Sequence, residues 1–150
     1  MRRTKLQAVL VAAAAAVSLA SCSGDSSTQT TGPTPHTVAL ANGVVTVAAG
    51  TWATTQVNVT SDMLTPSVTG TFTAAGGSGN DIKVYVMSAT DYTNWSNGHS
   101  ASAVYSSGQV TTGSYNVLLV TGTYYVVYDN SFSVVSAKNV STLVDLNYEQ

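Results

Sequence analysis

Apolar and polar residues alternate along several short segments after residue 36. The clearest segment is 81–88, where Ile82, Val84 and Val86 occupy alternate positions. A period of two residues places alternate side chains on opposite faces of a β-strand. This pattern, and the Gly, Asn and Asp residues that interrupt it, predicts strands at 37–47, 52–60, 67–74, 81–88, 103–106, 115–120, 123–129 and 140–148.

Local turn signals refine this pattern. Asn42-Gly43 is a dipeptide typical of hairpin turns, and it predicts a break within the first strand. Residues 90–95 predict one helical turn, capped by Thr90 or Asp91 and followed by Gly98. Short strands without a long helix predict an all-β fold, an antiparallel β-sandwich of about eight strands, with a closed barrel as the alternative.

The first residues have the order of an export signal. Arg2, Arg3 and Lys5 precede an Ala-rich apolar run at 6–19. That run is shorter than the roughly 20 apolar residues of a transmembrane helix, but its length and position suit a signal peptide. We therefore predict a signal peptide over residues 1–21, in preference to a buried Ala-rich helix.

The residues Leu19-Ala20-Ser21-Cys22 resemble the lipobox of bacterial lipoproteins. The resemblance implies cleavage before Cys22, a lipid such as palmitate on its thiol, and anchoring to a bacterial membrane, facing the periplasm or the cell exterior. Cys22 is the only cysteine, so it has no disulfide partner within the chain. The alternative is an ordinary signal peptide with a chance cysteine nearby. In a cell with two membranes, Ser23 in place of an aspartate favours the outer one.

A polar segment follows Cys22. Residues 23–35 contain no aliphatic or aromatic side chain and cannot contribute to a core, which is typical of a disordered tether. Such a segment spans at most about 45 Å when fully extended. The chain is thus predicted to comprise a lipoprotein signal peptide (1–21), a lipidated cysteine with its tether (22–35) and a β-sandwich domain (36–150).

Composition narrows the range of partners. Hydrophobic residues make up 44% of the chain and charged residues only 8%. Residues 22–150 keep two lysines and all seven acidic residues, which leaves a net charge of −5. Binding to phosphates requires clustered Lys and Arg, so we expect neither nucleic acid nor anionic lipid headgroups as partners.

The segment 122–140 contains the residues GTYYVVYDNSFS, followed by SAKNV. These residues resemble the signature of the GOLD (Golgi dynamics) domain, in which an aromatic strand led by glycine ends in Asp-Asn before a final strand. The resemblance implies a small jelly-roll-like β-sandwich and a non-catalytic role in binding protein or lipid. A bacterial lipoprotein carrying a GOLD-like domain is therefore the predicted family.

Two segments form the candidate binding surface. One is the predicted helical turn and its flank, with Tyr92, Trp95 and His99, and the other is the corner after the aromatic strand, with Asp129, Asn130 and Phe132. Asp129-Asn130-Ser131 predicts an Asx turn, in which a short side chain bonds the backbone. Lys138 is expected to pair with Asp129 across this corner.

The sequence does not predict a catalytic or metal site. A hydrolase would need His99 beside a serine and an acid, and no nucleophile motif surrounds it. Two separated histidines do not supply a zinc site. Calcium would require the loops to bring together Asp81, Asp91, Asp129 and Asn130. We expect no cofactor.

The combined prediction is a lipid-anchored, non-enzymatic module outside the cytoplasm that recognises a protein partner in the cell envelope. The alternative is a carbohydrate-binding module, in which surface aromatic rings stack on sugars. The rings considered for that role are those of Trp52, Tyr92, Trp95, Tyr105 and Tyr115.

Overall fold

The computed structural model describes residues 32–77 and 79–150. The predicted signal peptide, Cys22 and most of the tether lie outside these residues. The described chain forms strands and one helix in the order β1 (Pro35–Val47), β2 (Trp52–Val59), β3 (Leu64–Ala75), β4 (Ile82–Ser88), α1 (Ala89–Ser96), β5 (Tyr105–Val110), β6 (Thr112–Leu118), β7 (Gly122–Asp129) and β8 (Lys138–Glu149).

The strands form two antiparallel four-stranded sheets. The first sheet has the order β1-β8-β3-β6, and the second has the order β2-β7-β4-β5. Every connection except that between β4 and β5, which contains α1, crosses from one sheet to the other. The predicted antiparallel β-sandwich of eight strands is confirmed.

The core lies between the sheets because alternate residues of each strand point inward. Ile82, Val84 and Val86 are fully buried, as their spacing predicts. β7 is buried on both faces, since it lies inside the second sheet and α1 contacts its outer side. Besides the β4 residues, the largest fully buried side chains are Val47, Val57, Val68, Phe72, Val126, Val127, Tyr128, Val140 and Val144.

The two ends of the sandwich carry different turns and connections. At the terminal end, the backbones of Thr34 and Gln150 exchange hydrogen bonds of 2.8 and 3.0 Å. The turns at 60–63 and 119–121 lie at this same end, since β2 and β7 pair Val59 with Gly122. The opposite end, here called the loop end, carries the turns at 48–51 and 76–81 and the connection at 130–137.

The first strand is not split at Asn42-Gly43, so that prediction is wrong. β1 pairs continuously with β8, with a single register shift between Ala39 and Ala41, and Gly43 lies opposite Thr142. A partner strand supplies backbone hydrogen bonds along the whole segment, and these override the local turn preference of Asn-Gly.

The cap of α1 also differs from the prediction. Ser88, not Thr90 or Asp91, is the N-cap, and its hydroxyl accepts the Asp91 N–H at 3.1 Å. The Ser88 hydroxyl donates in turn to the Asp91 carboxylate at 2.6 Å. Within the described residues α1 spans eight residues, and no helix there is long and apolar enough to cross a bilayer.

Candidate binding surface

A fully buried asparagine organises the loop end. The Asn130 side-chain amide donates to the carbonyls of Val47, Ala48 and Ser136, at 3.3, 3.1 and 2.9 Å. The predicted Asx turn is confirmed, because the Ser131 N–H donates to Asp129 Oδ1 at 2.8 Å. Asp129 and Asn130 are 3% and 0% exposed. Their side chains therefore hold the corner together from within and are not available to contact a partner.

The connection that Asn130 holds, here called the Val134 loop (residues 131–137), exposes two aliphatic side chains. Val134 is 90% exposed and Val135 is 87% exposed. The Ser133 hydroxyl donates to the Ser136 carbonyl at 2.9 Å and accepts the Ser136 N–H at 3.3 Å, which closes the loop beneath the two valines. The loop thus presents apolar side chains on an ordered backbone.

Phe132 lies at the base of this loop and is half-buried. The Lys83 ammonium group lies 5.1 Å from the centre of its ring, a cation–π distance. Lys83 is the register partner of Asp129 on the neighbouring strand. Of the three residues predicted at this corner, Phe132 is therefore the one whose side chain remains accessible.

A groove of about 260 Å³ runs beside the Val134 loop, and Lys138 and Asp81 lie in its wall. Lys138 Nζ donates to the Gly76 carbonyl at 2.7 Å and to Asp81 Oδ1 at 3.2 Å. Hydrogen bonds from Gln109 and then from Lys138 hold the pKa of Asp81 below its ordinary value. The Lys138–Asp81 ion pair in the wall of the groove therefore has no net charge.

The expected pairing of Lys138 with Asp129 is wrong. Lys138 begins β8 in the first sheet, and its buried side chain reaches the turn before β4. Asp129 ends β7 in the second sheet, and its carboxylate accepts the Ser131 N–H. Proximity in sequence suggested the pair, but the crossing between sheets separates the two side chains.

Aromatic rings gather where α1 covers the outer face of the second sheet. The Trp52 indole N–H donates to the Tyr92 hydroxyl at 3.1 Å. The Trp52 and Trp95 rings lie 5.1 Å apart at an angle of 74°. Tyr85 and Tyr125 complete the cluster, against Trp95 and Tyr92 respectively. The predicted pair Tyr92 and Trp95 therefore share one face, but the perpendicular tryptophans do not form a flat platform.

His99 lies just after α1 and is exposed. Its backbone N–H donates to the Asn94 carbonyl at 2.9 Å. In the described part of the chain, no hydrogen bond joins the His99 ring to a serine or a carboxylate, and Asp91 instead accepts from Ser88 and from the Ser102 N–H. These two contacts, that of Ser88 first, lower the pKa of Asp91.

The four residues considered for calcium do not converge. Asp81 precedes β4 and Asp91 follows it, and the seven residues of β4 span about 23 Å. Asp129 and Asn130 are buried at the loop end and engaged with the backbone. Among residues 32–77 and 79–150, no group of three or more His, Cys, Asp or Glu side chains is placed to hold a metal ion.

Sequence reasoning did not identify two surfaces. No pattern in the sequence indicated that Val134 and Val135 are exposed, since a pair of valines in a β-protein usually belongs to a core. The outer face of the first sheet carries a groove of about 590 Å³, and half of its lining residues bear a hydroxyl group. Alternating threonines such as Thr71 and Thr73 were its signal. A polar, solvated outer face is ordinary for an antiparallel sheet.

The chain was also compared with known proteins. No protein-family model matches it, and no curated protein sequence matches it. The GOLD resemblance of residues 122–140 therefore stays a prediction from the motif.

Proposed function

We propose that the chain is a lipid-anchored, non-enzymatic recognition module of the bacterial cell envelope, and that it binds a protein partner through the Val134 loop. The lipobox-like residues ending at Cys22 and the polar segment after them support the anchor. The GOLD-like motif supports a binding role. We place the site at this loop because it forms part of that motif and lies at the end of the sandwich opposite Thr34 and Gln150.

The observation that carries the proposal is the exposure of Val134 and Val135, at 90% and 87%, on a backbone held by buried Asn130. Single exposed aliphatic side chains are common, but two adjacent ones on an ordered loop form an apolar knob. An ordered loop loses little conformational entropy on binding, which favours affinity.

The surroundings of the loop indicate the chemistry of the partner. Lys138 and Asp81 neutralise each other in the adjoining groove, and Lys83 lies over Phe132. The surface therefore offers apolar contacts bordered by compensated charge, which is the usual composition of a protein–protein interface. An apolar pocket or groove on the partner would accept the two valines.

Site-specific photocrosslinking in the native host tests the proposal. A photoreactive residue at position 134 or 135 is expected to yield a discrete protein adduct, whereas one at Val44, exposed by 64% on the first sheet, is expected to yield none. With the captured protein purified, V134S/V135S is expected to weaken binding about tenfold or more, because two apolar contacts are lost. The same adduct from position 44, or unchanged affinity, would refute the site.

The anchor is tested separately by mass spectrometry of the N-terminal peptide from membranes. The expected peptide begins at Cys22 and carries a lipid. An unlipidated chain in the cytosol would overturn the localisation, and it would leave the role of the loop to the crosslinking experiment.

A second candidate function is carbohydrate binding, favoured by the aromatic cluster on α1 and β2. Trp52 is 38% exposed and its ring lies 5.1 Å from that of Trp95, so part of the indole is accessible for a sugar ring to contact. Quenching of tryptophan fluorescence by added saccharide, abolished in W52A but retained in V134S/V135S, is the result that would favour it over protein recognition.

A further inference from the structure

The terminal end of the sandwich carries its own exposed apolar residues, here called the terminal patch: Leu64, Leu118 and Val120. Their side chains are 48%, 77% and 73% exposed. The Leu119 N–H between the last two donates to the Pro66 carbonyl at 2.9 Å, which holds the turn at 119–121 against the start of β3. The patch is therefore ordered, and it is separate from the Val134 loop at the other end.

The chain leads into the sandwich at this same end. Thr34 is fixed there by backbone hydrogen bonds with Gln150, and Pro35 begins β1. If the eleven residues 23–33 behaved as a flexible coil, their root-mean-square span would be about 18 Å. A lipid on Cys22 would therefore hold the terminal patch close to the bilayer surface, at a high effective concentration.

An orientation with the Val134 loop on the membrane is disfavoured by the short segment between Cys22 and Thr34. β8 has twelve residues and spans about 40 Å along the sandwich. Turning the Val134 loop to the membrane would place Thr34 about that far from it, which is the limit of roughly 38 Å that residues 23–33 could span when fully extended. Stretching a chain to its limit removes most of its conformations, which disfavours this orientation.

Charge determines which kind of lipid surface suits the patch. Asp62 and Glu149 lie at the terminal end, and Asp62 accepts a hydrogen bond from the Gln150 side chain at 2.6 Å. Acidic groups do not attract anionic headgroups. The exposed aliphatic side chains are instead suited to the headgroup level of zwitterionic lipid.

We infer that Leu64, Leu118 and Val120 form a membrane-contact surface that docks the anchored domain on the bilayer with the Val134 loop pointing outward. This inference rests on the proposed anchor at Cys22. It assigns the two apolar surfaces different occupants, lipid at the terminal end and protein at the loop end.

The test uses the chain from Cys22 to Gln150, coupled through its single thiol to a maleimide-bearing lipid in phosphatidylcholine nanodiscs, one chain per disc. Lipids with a nitroxide headgroup broaden the NMR signals of amides that approach the surface. We expect strong broadening at residues 118–121 and little at 133–136. L118S/V120S is expected to lower the docked population about tenfold or more, through the loss of two apolar contacts.

The matched control is V134S/V135S, which removes two aliphatic side chains from the loop end and should leave the broadening at 118–121 unchanged. Equal broadening at both ends, or unchanged broadening in L118S/V120S with a folded spectrum, would overturn the inference. Broadening at 118–121 that appears only at several chains per disc would assign the patch to a second copy of the chain. Because the lipid is attached chemically, the result does not depend on native lipidation, which the mass-spectrometric test decides.

Discussion

Lys138 Nζ lies 3.2 Å from Asp81 Oδ1, and the lysine side chain is 3% exposed whereas that of the aspartate is 22% exposed. The pair connects the first residue of β8, in the first sheet, to the residue before β4, in the second. A buried ammonium group is costly unless it is paired and hydrogen-bonded. The ion pair therefore fixes the turn at 76–81 against the base of the Val134 loop.

Replacing Lys138 by methionine is expected to lower the free energy of unfolding by about 1–3 kcal/mol, because the Gly76 carbonyl and Asp81 lose their charged donor. Urea denaturation measures the change. The control is K83M, which removes the other lysine of the domain. Lys83 is half-buried and only faces the Phe132 ring, so a loss of about 0.5–1 kcal/mol is expected. Equal losses in both variants would contradict the structural role of Lys138.

Stability is expected to fall in acid, in part through Asp81. Its pKa is lowered in the folded chain by Gln109 and Lys138, so the folded state binds fewer protons than the unfolded state. This contribution is complete above the ordinary aspartate pKa of about 4 and is lost as the pH falls through the lower folded value. Urea denaturation between about pH 5 and pH 2 should show a shallower decline for D81N than for the wild type. The same slope in both would show that Asp81 is not linked to folding.

Replacing tyrosine by phenylalanine at two buried positions, 115 and 128, is expected to change the free energy of unfolding in opposite directions. The Tyr115 hydroxyl is buried and has no hydrogen-bond partner among the described residues, whereas the Tyr128 hydroxyl lies 2.8 Å from Thr142 Oγ1. Burial raises the pKa of both, so both hydroxyls stay neutral at ordinary pH. Y115F is expected to raise the free energy of unfolding by about 1 kcal/mol, and Y128F to lower it by about 1 kcal/mol. Thermal and urea unfolding distinguish them, and destabilisation by Y115F would be the contrary result.

Asn130 is expected to control the order of the Val134 loop. N130A leaves three backbone carbonyls without its amide and should cost about 2–4 kcal/mol. Amide hydrogen exchange at residues 133–136 should accelerate more than exchange in the strands. N139A is the matched control, since exposed Asn139 only accepts a bond from Thr46, and its effect should stay below about 1 kcal/mol. Unchanged exchange in the loop of N130A would refute this role.

Periodicity located all eight strands, but it did not fix their ends. The predicted strand 103–106 is Tyr105–Val110, and 115–120 is Thr112–Leu118. Gly108, with φ of 66°, lies where the register shifts between Lys83 and Tyr85 of β4, so β5 continues through an irregularity that a strict alternation does not reveal. Strand limits depend on the partner strand, which the local pattern does not contain.

The candidate binding surface was also predictable from the sequence only in part. The Asx turn at Asp129 was predictable because it is made by neighbours in sequence. The burial of Asn130 was not, since two of the three carbonyls that its amide contacts belong to Val47 and Ala48, far away in the chain. The choice of Asp81 over Asp129 by Lys138 also depends on how the sheets face each other.

The sequence by itself determined the two-residue period, and with it the strands, the inward faces and the all-β class, because these follow from each residue and its immediate neighbours. Only the tertiary structure decided which strands pair, which side chains meet across the sandwich, and which apolar residues stay in water. Those outcomes depend on contacts between residues distant in sequence. For that reason Val134 and Val135, similar in sequence to any pair of core residues, are found at the surface.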